Sequence, residues 1–300
     1  MLKYRRGIND LVTGHNDSLI FRRLVNVVFG NGISEIDDEL IRLARLNKVL
    51  LHVLRAAGYE GELRREQEDG LRRIIGIVAE VEDALRGFDH AFIKLIKPVT
   101  YVPADVDVLV RRDQVLLAAS RLVKLGYRVL LYEPYTITLV KDGINVDLYI
   151  HPSAANLVYA RGEDFLRLRV VSRYHGVEVD AVDRNGEVVL TILHAIYKEG
   201  ILTLNDAVTI LSWLNEDAME LCKKLRCMHA LEFALNVMSM AIRGSLVLPY
   251  KLPIIAWAFG LLNRTLANRW YAPSVLQGVK RIGDARSIAQ IINRIMRISY

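Results

Sequence analysis

The sequence predicts an α+β fold: a small mixed sheet with flanking helices, preceded by a helical N-terminal region and followed by a helical C-terminal region. Apolar residues recur at helical spacing before about residue 90 and again after about residue 186. Between these stretches, short runs alternate apolar and polar residues with the period of two that is typical of strands. We therefore expect a helical region at 1–89, a sheet-containing core at 90–185 and a helical, basic region at 186–300.

The composition is that of a globular protein. Of the 300 residues, 52% are hydrophobic and 25% are charged, which is enough for a sizeable core. The most apolar stretch, 245–262, contains Lys251 and two prolines, and its unbroken apolar part is too short to span a bilayer. Cys222 and Cys227 lack a metal-ligand pattern, which favours buried thiols over a local disulfide. With no apolar segment of a secretory signal near the basic start, we expect a cytoplasmic protein without an integral membrane segment.

The N-terminal region predicts two long helices. The first, at 34–58, begins at Ser34 as a candidate cap, carries leucines at helical spacing and ends at Gly58. The second, at 62–87, contains two interior glycines as weak points.

The core begins where the period of the apolar pattern changes. Asp142-Gly143 between two alternating runs is a strong hairpin signal, and Asp113 is a candidate cap for the helix that follows the second strand. The expected elements are strands at 91–96 and 104–110, a helix at 113–126, a strand at 127–132, a hairpin at 136–150, and a further strand or hairpin within 177–188. Helices follow at 187–199, 204–214, 217–241 and from Asp284 onward.

Two aspartates lie one residue apart in the valine-rich run "ADVDVLV". Residues two apart in a strand point to the same face, so Asp105 and Asp107 share one face and the valines take the other. Two ionised carboxylates this close repel each other, which is costly unless a cation or a basic group lies between them. A lone pair of this kind more often marks an exposed polar strand, so a further signal is needed.

The hairpin supplies that signal as a third carboxylate. In "INVDLYI", Asp147 alternates with apolar residues and shares a face with Tyr149. If this strand neighbours the first, Asp147 faces Asp105 and Asp107 across the sheet. Hard cations such as Mg²⁺ or Mn²⁺ prefer oxygen ligands, and two such ions clamp the attacking and leaving oxygens in phosphoryl chemistry. The three aspartates therefore predict a metal site.

This order of elements, with its three aspartates, resembles the DNA-polymerase-β-like nucleotidyltransferase superfamily, particularly its archaeal nucleotidyltransferase family proteins. The resemblance covers about residues 90–152 and extends more weakly through 190–211. It implies that Asp105 and Asp107 bind the metals, and that Asp147 completes the site and helps to deprotonate an acceptor hydroxyl. The implied reaction is metal-dependent transfer of a nucleoside monophosphate from a nucleoside triphosphate to an acceptor, with release of pyrophosphate.

The sequence departs from the superfamily at the turn that binds the triphosphate. The superfamily usually has a Gly-Gly or Gly-Ser pair there, whereas "FIKLIKPVTYVPADVD" contains no glycine. Lys94, Lys97 and Thr100 are the nearest substitutes, because a lysine binds phosphate as a point charge and a threonine supplies a hydroxyl. The alternative is that both lysines are solvated at a strand edge. Tyr149 is a candidate for stacking on the base, although packing is the commoner role of such a residue.

Three other polar residues have weaker signals. A contact of His194 with Asp206 between helices is expected to be structural, and Asp206 is expected to interact with a helix N-terminus. His151 approaches the face of Asp147 only if the hairpin strand continues to it.

The charge is uneven along the chain. Residues 221–300 hold twelve Lys or Arg and two Asp or Glu, so they carry +10 while the whole chain carries +6. A basic C-terminal region suits RNA, such as a tRNA end, as acceptor, although a solvated arginine-rich surface explains it equally well. A small molecule and a protein hydroxyl are also allowed as acceptors. The alternative function is a catalytically inactive module of the same fold that binds nucleotide, RNA or a protein partner. The oligomeric state is left open.

Overall fold

The computed structural model describes residues 18–30, 36–154, 157–267, 269–274 and 299. In this part of the chain a seven-stranded mixed sheet has the order β3-β4-β5-β2-β1-β9-β8. Its strands are β1 (His90–Ile93), β2 (Asp105–Val110), β3 (Arg128–Glu133), β4 (Thr136–Lys141), β5 (Ile144–Tyr149), β8 (Arg169–Tyr174) and β9 (Val177–Val182). Two short ladders pair β6 (Ser153–Ala154) with β7 (Leu157–Val158) and β10 (Ile201–Leu202) with β11 (Tyr250–Lys251).

Helices lie before the sheet, on both of its faces and after it. They are α1 (18–28), α2 (Asp38–Leu46), α3 (Leu50–Ala56), α4 (Glu62–Leu85), α5 (Val115–Lys124), α6 (Gly162–Leu166), α7 (Arg184–Leu193), α8 (Leu204–Trp213), α9 (Glu216–Lys224), α10 (Met228–Ile242) and α11 (Ile254–Ala267). A π-helical segment, His194–Glu199, continues α7. The predicted α+β class is confirmed. None of the described helices is both long and apolar enough to cross a membrane.

The alternating pattern of the central strands separates two apolar clusters. Val106, Val108 and Val146 face one side, where they pack with residues of α4 and α5. Tyr149 faces the other side and belongs to a cluster that extends through α1–α3 and α7–α10. This second cluster joins residues on both sides of the boundaries expected at 89 and 185, and those boundaries stay predictions.

The hairpin is formed as predicted. β4 and β5 are joined by Asp142 and Gly143, whose φ angles of +50° and +76° are those of the tight turn that this pair favours. The segment 177–188 supplies β9, which pairs antiparallel with β8, and its last residues begin α7.

The prediction of one helix over 34–58 is wrong. Residues 36–58 form α2 and α3 with a break at Asn47 and Lys48, where Lys48 has a φ of +56°. Asn47 uses its side chain at the break, donating to the Leu43 and Leu248 carbonyls and accepting from the Leu204 backbone N–H. These bonds to distant residues replace the helical ladder. The candidate cap Ser34 lies outside the described residues, and Asp37 caps α2.

Two further helix predictions need correction. The single helix expected over 217–241 is divided into α9 and α10 by a turn in which Arg226 has a φ of +56°. This turn brings the buried Cys222 and Cys227 to a Cα–Cα separation of 5.0 Å, and they form a disulfide instead of the expected free thiols. Asp113 does not cap α5, because its carboxylate pairs with Arg111 at 2.6 Å. The final helix expected from Asp284 lies outside the described residues.

Candidate active site

The three predicted aspartates meet on one face of the sheet. β2 and β5 pair in parallel with Asp107 opposite Asp147 and Asp105 opposite Asn145. One carboxylate oxygen from each aspartate lies within 4.8 Å of the others. Alternation along two adjacent strands is sufficient to produce this arrangement, which is why the sequence alone pointed to it.

Asp107 is the most buried of the three carboxylates, at 5% exposure. Burial raises its pKa to about 6, although the neighbouring Lys94 works in the opposite direction. Its Oδ1 is buried and has no hydrogen-bond partner among the described residues. A buried carboxylate oxygen that accepts no hydrogen bond has lost its solvation without compensation, and a bound cation would offset this cost.

Asp147 is oriented by two hydroxyl groups. Thr138 Oγ1 donates to its Oδ1 at 2.5 Å, and the Tyr149 hydroxyl donates to its Oδ2 at 3.1 Å. Thr138 stands opposite Asp147 on β4, so the hairpin itself positions this carboxylate. Tyr149 is 3% exposed, and its role in binding a base stays a prediction.

Lys94 supplies the cation nearest to the carboxylates. Its Nζ lies 2.6 Å from Asp107 Oδ2, and the side chain is 12% exposed. Burial alone would lower the pKa of this amine, but Asp107 and Asp105 hold it well above its ordinary value. The sequence argument that two close carboxylates require a basic group or a cation between them is met here by Lys94.

The backbone of Lys94 is held in an uncommon conformation. Its φ is +57°, a left-handed value that non-glycine residues rarely adopt. The Lys94 N–H donates to Glu187 Oε2 at 2.9 Å, and the Tyr101 hydroxyl donates to the Lys94 carbonyl. Glu187, in the first turn of α7, is a site residue that sequence reasoning missed, because its partners Lys94 and Lys97 lie 93 and 90 positions away.

Lys97 is also anchored to Glu187. Its Nζ donates to Glu187 Oε1 and to Thr191 Oγ1, both at 2.7 Å. Lys97 is therefore a buried ion-pair partner at the wall of the site, rather than the solvated strand-edge lysine of the alternative interpretation. Thr100 does not line the cavity that opens beside Asp105 and Asp107.

A cavity of about 330 Å³ opens beside Asp105 and Asp107. It lies between the ends of β1 and β2, the π-helical segment and the start of α8. Among the described residues, four lysines and four carboxylates line it in equal number: Lys48, Lys94, Lys97, Lys198, Asp105, Asp107, Glu199 and Asp206. Its walls therefore carry little net charge of their own.

Lys48 and Lys198 were not predicted as site residues. Lys48 reaches the cavity because the chain breaks between α2 and α3, and burial lowers the pKa of its amine. Burial, with repulsion from Lys94, lowers the pKa of Lys198 to about 8. The Nζ atoms of Lys94 and Lys198 lie 5.9 and 6.0 Å from the centre of the Tyr149 ring. The sequence signal for Lys198 was the presence of a lysine within the apolar run "LHAIYKEG".

His194 and Asp206 have structural contacts at the rear of the cavity. His194 Nε2 lies 3.2 Å from Glu199 Oε1, and burial together with the nearby lysines lowers the pKa of this imidazole well below its ordinary value. Asp206 forms a capping box with Thr203 at the start of α8. The predicted interaction of Asp206 with a helix N-terminus is confirmed.

His151 does not join the three aspartates. Its Nδ1 accepts from the Gly162 N–H at 3.1 Å, and its Nε2 lies 3.2 Å from a guanidinium nitrogen of Arg112. Its ring packs edge-on against Trp270, with 5.0 Å between the ring centres. Burial lowers its pKa to about 4.

The donor set at the aspartates fits a hard divalent cation. It consists of one carboxylate oxygen each from Asp105, Asp107 and Asp147, and Asp107 also carries the buried Oδ1 without a hydrogen-bond partner among the described residues. The chemistry that such a site supports is charge neutralisation at phosphate oxygens.

No family model matches the chain, and no curated protein matches it. Several solved structures are similar to it, and two of them are nucleotidyltransferases or nucleotidyltransferase-like by name. ANT(2")-Ia in complex with adenylyl-2"-tobramycin is 13% identical, with a TM-score of 0.32, over 56% of this chain and 98% of that one. An antigenic nucleotidyltransferase-like protein from Paracoccidioides brasiliensis is 13% identical, with a TM-score of 0.33, over 57% of this chain and 94% of that one. Neither similarity identifies a family for this chain.

Proposed function

We propose that the protein is a metal-dependent nucleotidyltransferase, as the resemblance of its sequence to the polymerase-β-like superfamily implies. The observation that carries the proposal is the meeting of the Asp105, Asp107 and Asp147 carboxylates, one of which has a buried oxygen without a partner, beside a cavity lined by four lysines and four carboxylates. In the proposed reaction an acceptor hydroxyl oxygen forms a bond to the α-phosphorus of a nucleoside triphosphate. The bond from that phosphorus to the bridging oxygen breaks, pyrophosphate leaves, and the hydroxyl proton is released.

The charge balance of the cavity supports dependence on a metal. Each of three lysines already lies beside a carboxylate: Lys94 beside Asp107, Lys97 beside Glu187 and Lys198 beside Glu199. A triphosphate would therefore meet walls whose positive charge is largely compensated. Mg²⁺ or Mn²⁺ held by Asp105, Asp107 and Asp147 would supply the additional positive charge and polarise the phosphate oxygens.

The lysines have a separate role in this proposal. Lys94, Lys97 and Lys198 would orient the phosphates as point charges in place of the glycine turn of the superfamily. Thr138 and Tyr149 would hold Asp147 in the orientation in which it faces Asp107. The base of the nucleotide and the acceptor are not specified by these residues, and RNA through the basic C-terminal region, a small molecule and a protein hydroxyl stay as candidate acceptors in a cytoplasmic setting.

A second function is favoured by the position of Lys94. Its amine already neutralises Asp107 at 2.6 Å, so the carboxylate cluster is stabilised in part by an internal cation. A protein in which this amine replaces the metal would be an inactive module that binds a nucleotide, RNA or a protein partner through the same cavity.

Labelled nucleotides distinguish the two functions. The purified protein is incubated with Mg²⁺ or Mn²⁺, each α-labelled nucleoside triphosphate and bulk RNA, beside Asp105→Asn/Asp107→Asn. Asp142→Asn serves as the matched control, because it removes an aspartate from the exposed hairpin turn, where asparagine is equally favoured. Label that moves to RNA or to the protein itself in the wild type and the control, but not in the double variant, supports the transferase.

A thermal measurement covers acceptors absent from that assay. A cation bound by the folded state raises the melting temperature by mass action. Stabilisation by Mn²⁺ that requires Asp105 and Asp107 but not Asp142 supports the metal site. No stabilisation and no transfer would contradict the transferase and favour the binding module.

A further inference from the structure

The edge of the sheet that β3 forms exposes apolar side chains on both of its faces. β3 is the terminal strand in the described sheet, with β4 on its inner side. Four consecutive residues, Val129, Leu130, Leu131 and Tyr132, are 52%, 63%, 39% and 67% exposed. Val129 and Leu131 stand opposite Leu139 and Thr138, adjacent residues of β4 whose side chains point to opposite faces, so neither face of β3 is covered within the described part of the chain. An exposed apolar edge strand is a template for pairing with another strand.

The helix that precedes β3 also exposes apolar side chains. Leu116 and Leu117 of α5 are 61% and 59% exposed, and Val123 and Leu125, which lead into β3, are 46% and 43% exposed. Exposed apolar residues that occur singly need no explanation, but eight of them within residues 116–132 are more than a single exposed side chain.

We propose that β3 pairs antiparallel with β3 of a second copy of this chain, forming a twofold-symmetric dimer with a sheet that continues across both copies. This inference is independent of the proposed function. A twofold axis perpendicular to the sheet keeps each side chain on its own face, and the bulge at Leu130 leaves Val129 and Tyr132 on one face of β3 and Arg128 and Glu133 on the other. With this axis at the middle of β3, Leu130 lies opposite Leu131 and Val129 lies opposite Tyr132 of the second copy. The strand ends then meet as Arg128 opposite Glu133, twice in the dimer. Unlike charges directly opposite each other across a strand pair are stabilising, whereas like charges are destabilising.

The sequence of β3 supports this particular register. Pro134, which follows the strand, has no N–H and limits further pairing beyond Glu133. Glu133 is half-buried, and its carboxylate has two oxygens and can accept from more than one donor. The ladder between β3 and β4 has a bulge at Leu130, which increases the local twist. The second strand is therefore expected to cross β3 at an angle.

The other terminal strand lacks this complementarity. β8, with the sequence RVVSRY, is also six residues long and exposes Val170 and Val171. β8 pairs with β9 without a bulge, so residues that a twofold axis places opposite each other lie an even number of positions apart. The central twofold pairing of β8 would therefore place Arg169 opposite Arg173, and like charges directly opposite each other are destabilising. The charge pattern thus favours β3 as the dimer edge.

A charge-reversal cycle tests the proposal on the full chain. Sedimentation equilibrium over a concentration series gives the dimer Kd for the wild type, Glu133→Arg, Arg128→Glu and the double variant. Each single change places like charges opposite each other twice and is expected to weaken the dimer about tenfold or more, whereas the double change restores unlike pairs and the wild-type Kd. Arg173→Glu on β8 is the matched control and should leave the Kd unchanged.

Tyr132→Lys gives a second test if a charge-reversed chain does not fold, and it should also weaken the dimer, because it replaces an exposed apolar contact with a charge. A wild type that stays monomeric throughout the series overturns the proposal. So does a dimer that neither single reversal weakens, or a double variant that remains as weak as the single variants while its circular dichroism matches the wild type.

Discussion

The Lys94 amine and the Asp107 carboxylate lie 2.6 Å apart through Oδ2, while the Oδ1 of the same carboxylate has no hydrogen-bond partner among the described residues. One oxygen of the most buried aspartate is thus neutralised by the chain itself, and the other is the one that the proposed cation would neutralise. The ion pair of Oδ2 with Lys94 and the proposed binding of a cation to Oδ1 can therefore be tested separately.

Lys94→Met is expected to destabilise the protein in the presence of a chelator. Removing one partner of a buried ion pair leaves an uncompensated charge and costs about 3–5 kcal/mol of unfolding free energy. Mn²⁺ should restore more stability to this variant than it adds to the wild type, because the cation then neutralises both oxygens of Asp107. Denaturant unfolding with chelator and with Mn²⁺ measures both effects.

Lys141→Met is the control for that experiment. Lys141 also forms an ion pair, with Glu80 at 2.5 Å, but both side chains are partly exposed, at 26% and 30%. Such a pair contributes about 1 kcal/mol or less. Equal losses in the two variants would contradict the description of Lys94 as the internal cation of the carboxylate cluster.

Lys198→Met is expected to weaken nucleotide binding about tenfold or more while leaving the fold intact. The Lys198 amine lines the cavity, and a charge-assisted hydrogen bond to a phosphate contributes about 1.5–3 kcal/mol. Calorimetric titration with each nucleoside triphosphate measures the affinity. Lys223→Met, on the exposed side of α9, is the matched control, and an equal effect of both changes would argue against a phosphate role for Lys198.

His151 is expected to make the protein sensitive to mild acid. Burial lowers its pKa from 6.5 to about 4, so the folded state keeps this imidazole neutral while the unfolded state takes up a proton below about pH 6.5. Its contribution to stability is therefore present above that pH and is lost as the pH falls towards 4, by on the order of 3 kcal/mol.

His151→Gln should flatten this part of the pH dependence. Unfolding free energies measured at intervals between these pH values, for the variant and the wild type, give the difference in slope. Parallel curves would show that another group causes the loss. His194 also has a lowered pKa, and its contribution cancels in the difference because both proteins retain it.

Asn47→Ala is expected to destabilise the protein by about 2–4 kcal/mol. Its buried side chain makes three hydrogen bonds, and their loss leaves the Leu204 N–H and the Leu248 carbonyl without this partner. Urea unfolding measures the change. Asn185→Ala removes an asparagine from an exposed side-chain pair with Asn215 and should cost well under 1 kcal/mol, and a similar loss in both would contradict the role of Asn47.

Local patterns were enough to predict the central part of the site. The alternation of β2 and β5 and the Asp142-Gly143 turn place three aspartates on one face, and each of these signals spans only a few residues. They needed no knowledge of distant contacts, because the pairing of adjacent strands follows from the turn and from the face that must be buried.

The residues that sequence reasoning missed all depend on distant contacts. Lys48 reaches the cavity only because Asn47 bonds to residues about 157 and 201 positions away and breaks the helix there. Glu187 has its role because α7 packs against the end of β1. Helical periodicity predicted a continuous helix through Asn47, since a tertiary hydrogen bond has no local signature.

The break between α2 and α3 places Lys48, a residue from outside the sheet-containing segment, in the cavity, and this matters for any attempt to shorten the protein. A fragment limited to residues 90–185 would keep the three aspartates with Lys94 and Lys97, but it would lack Lys48 and Lys198, as well as Glu187, which holds the strained backbone of Lys94. Such a fragment would keep the aspartates and Lys94 but lose two of the four lysines of the cavity and the carboxylate that accepts from the Lys94 N–H. The chemistry of the cavity therefore requires the whole folded chain. Its loss would report that the segments before or after the sheet are not packed against it.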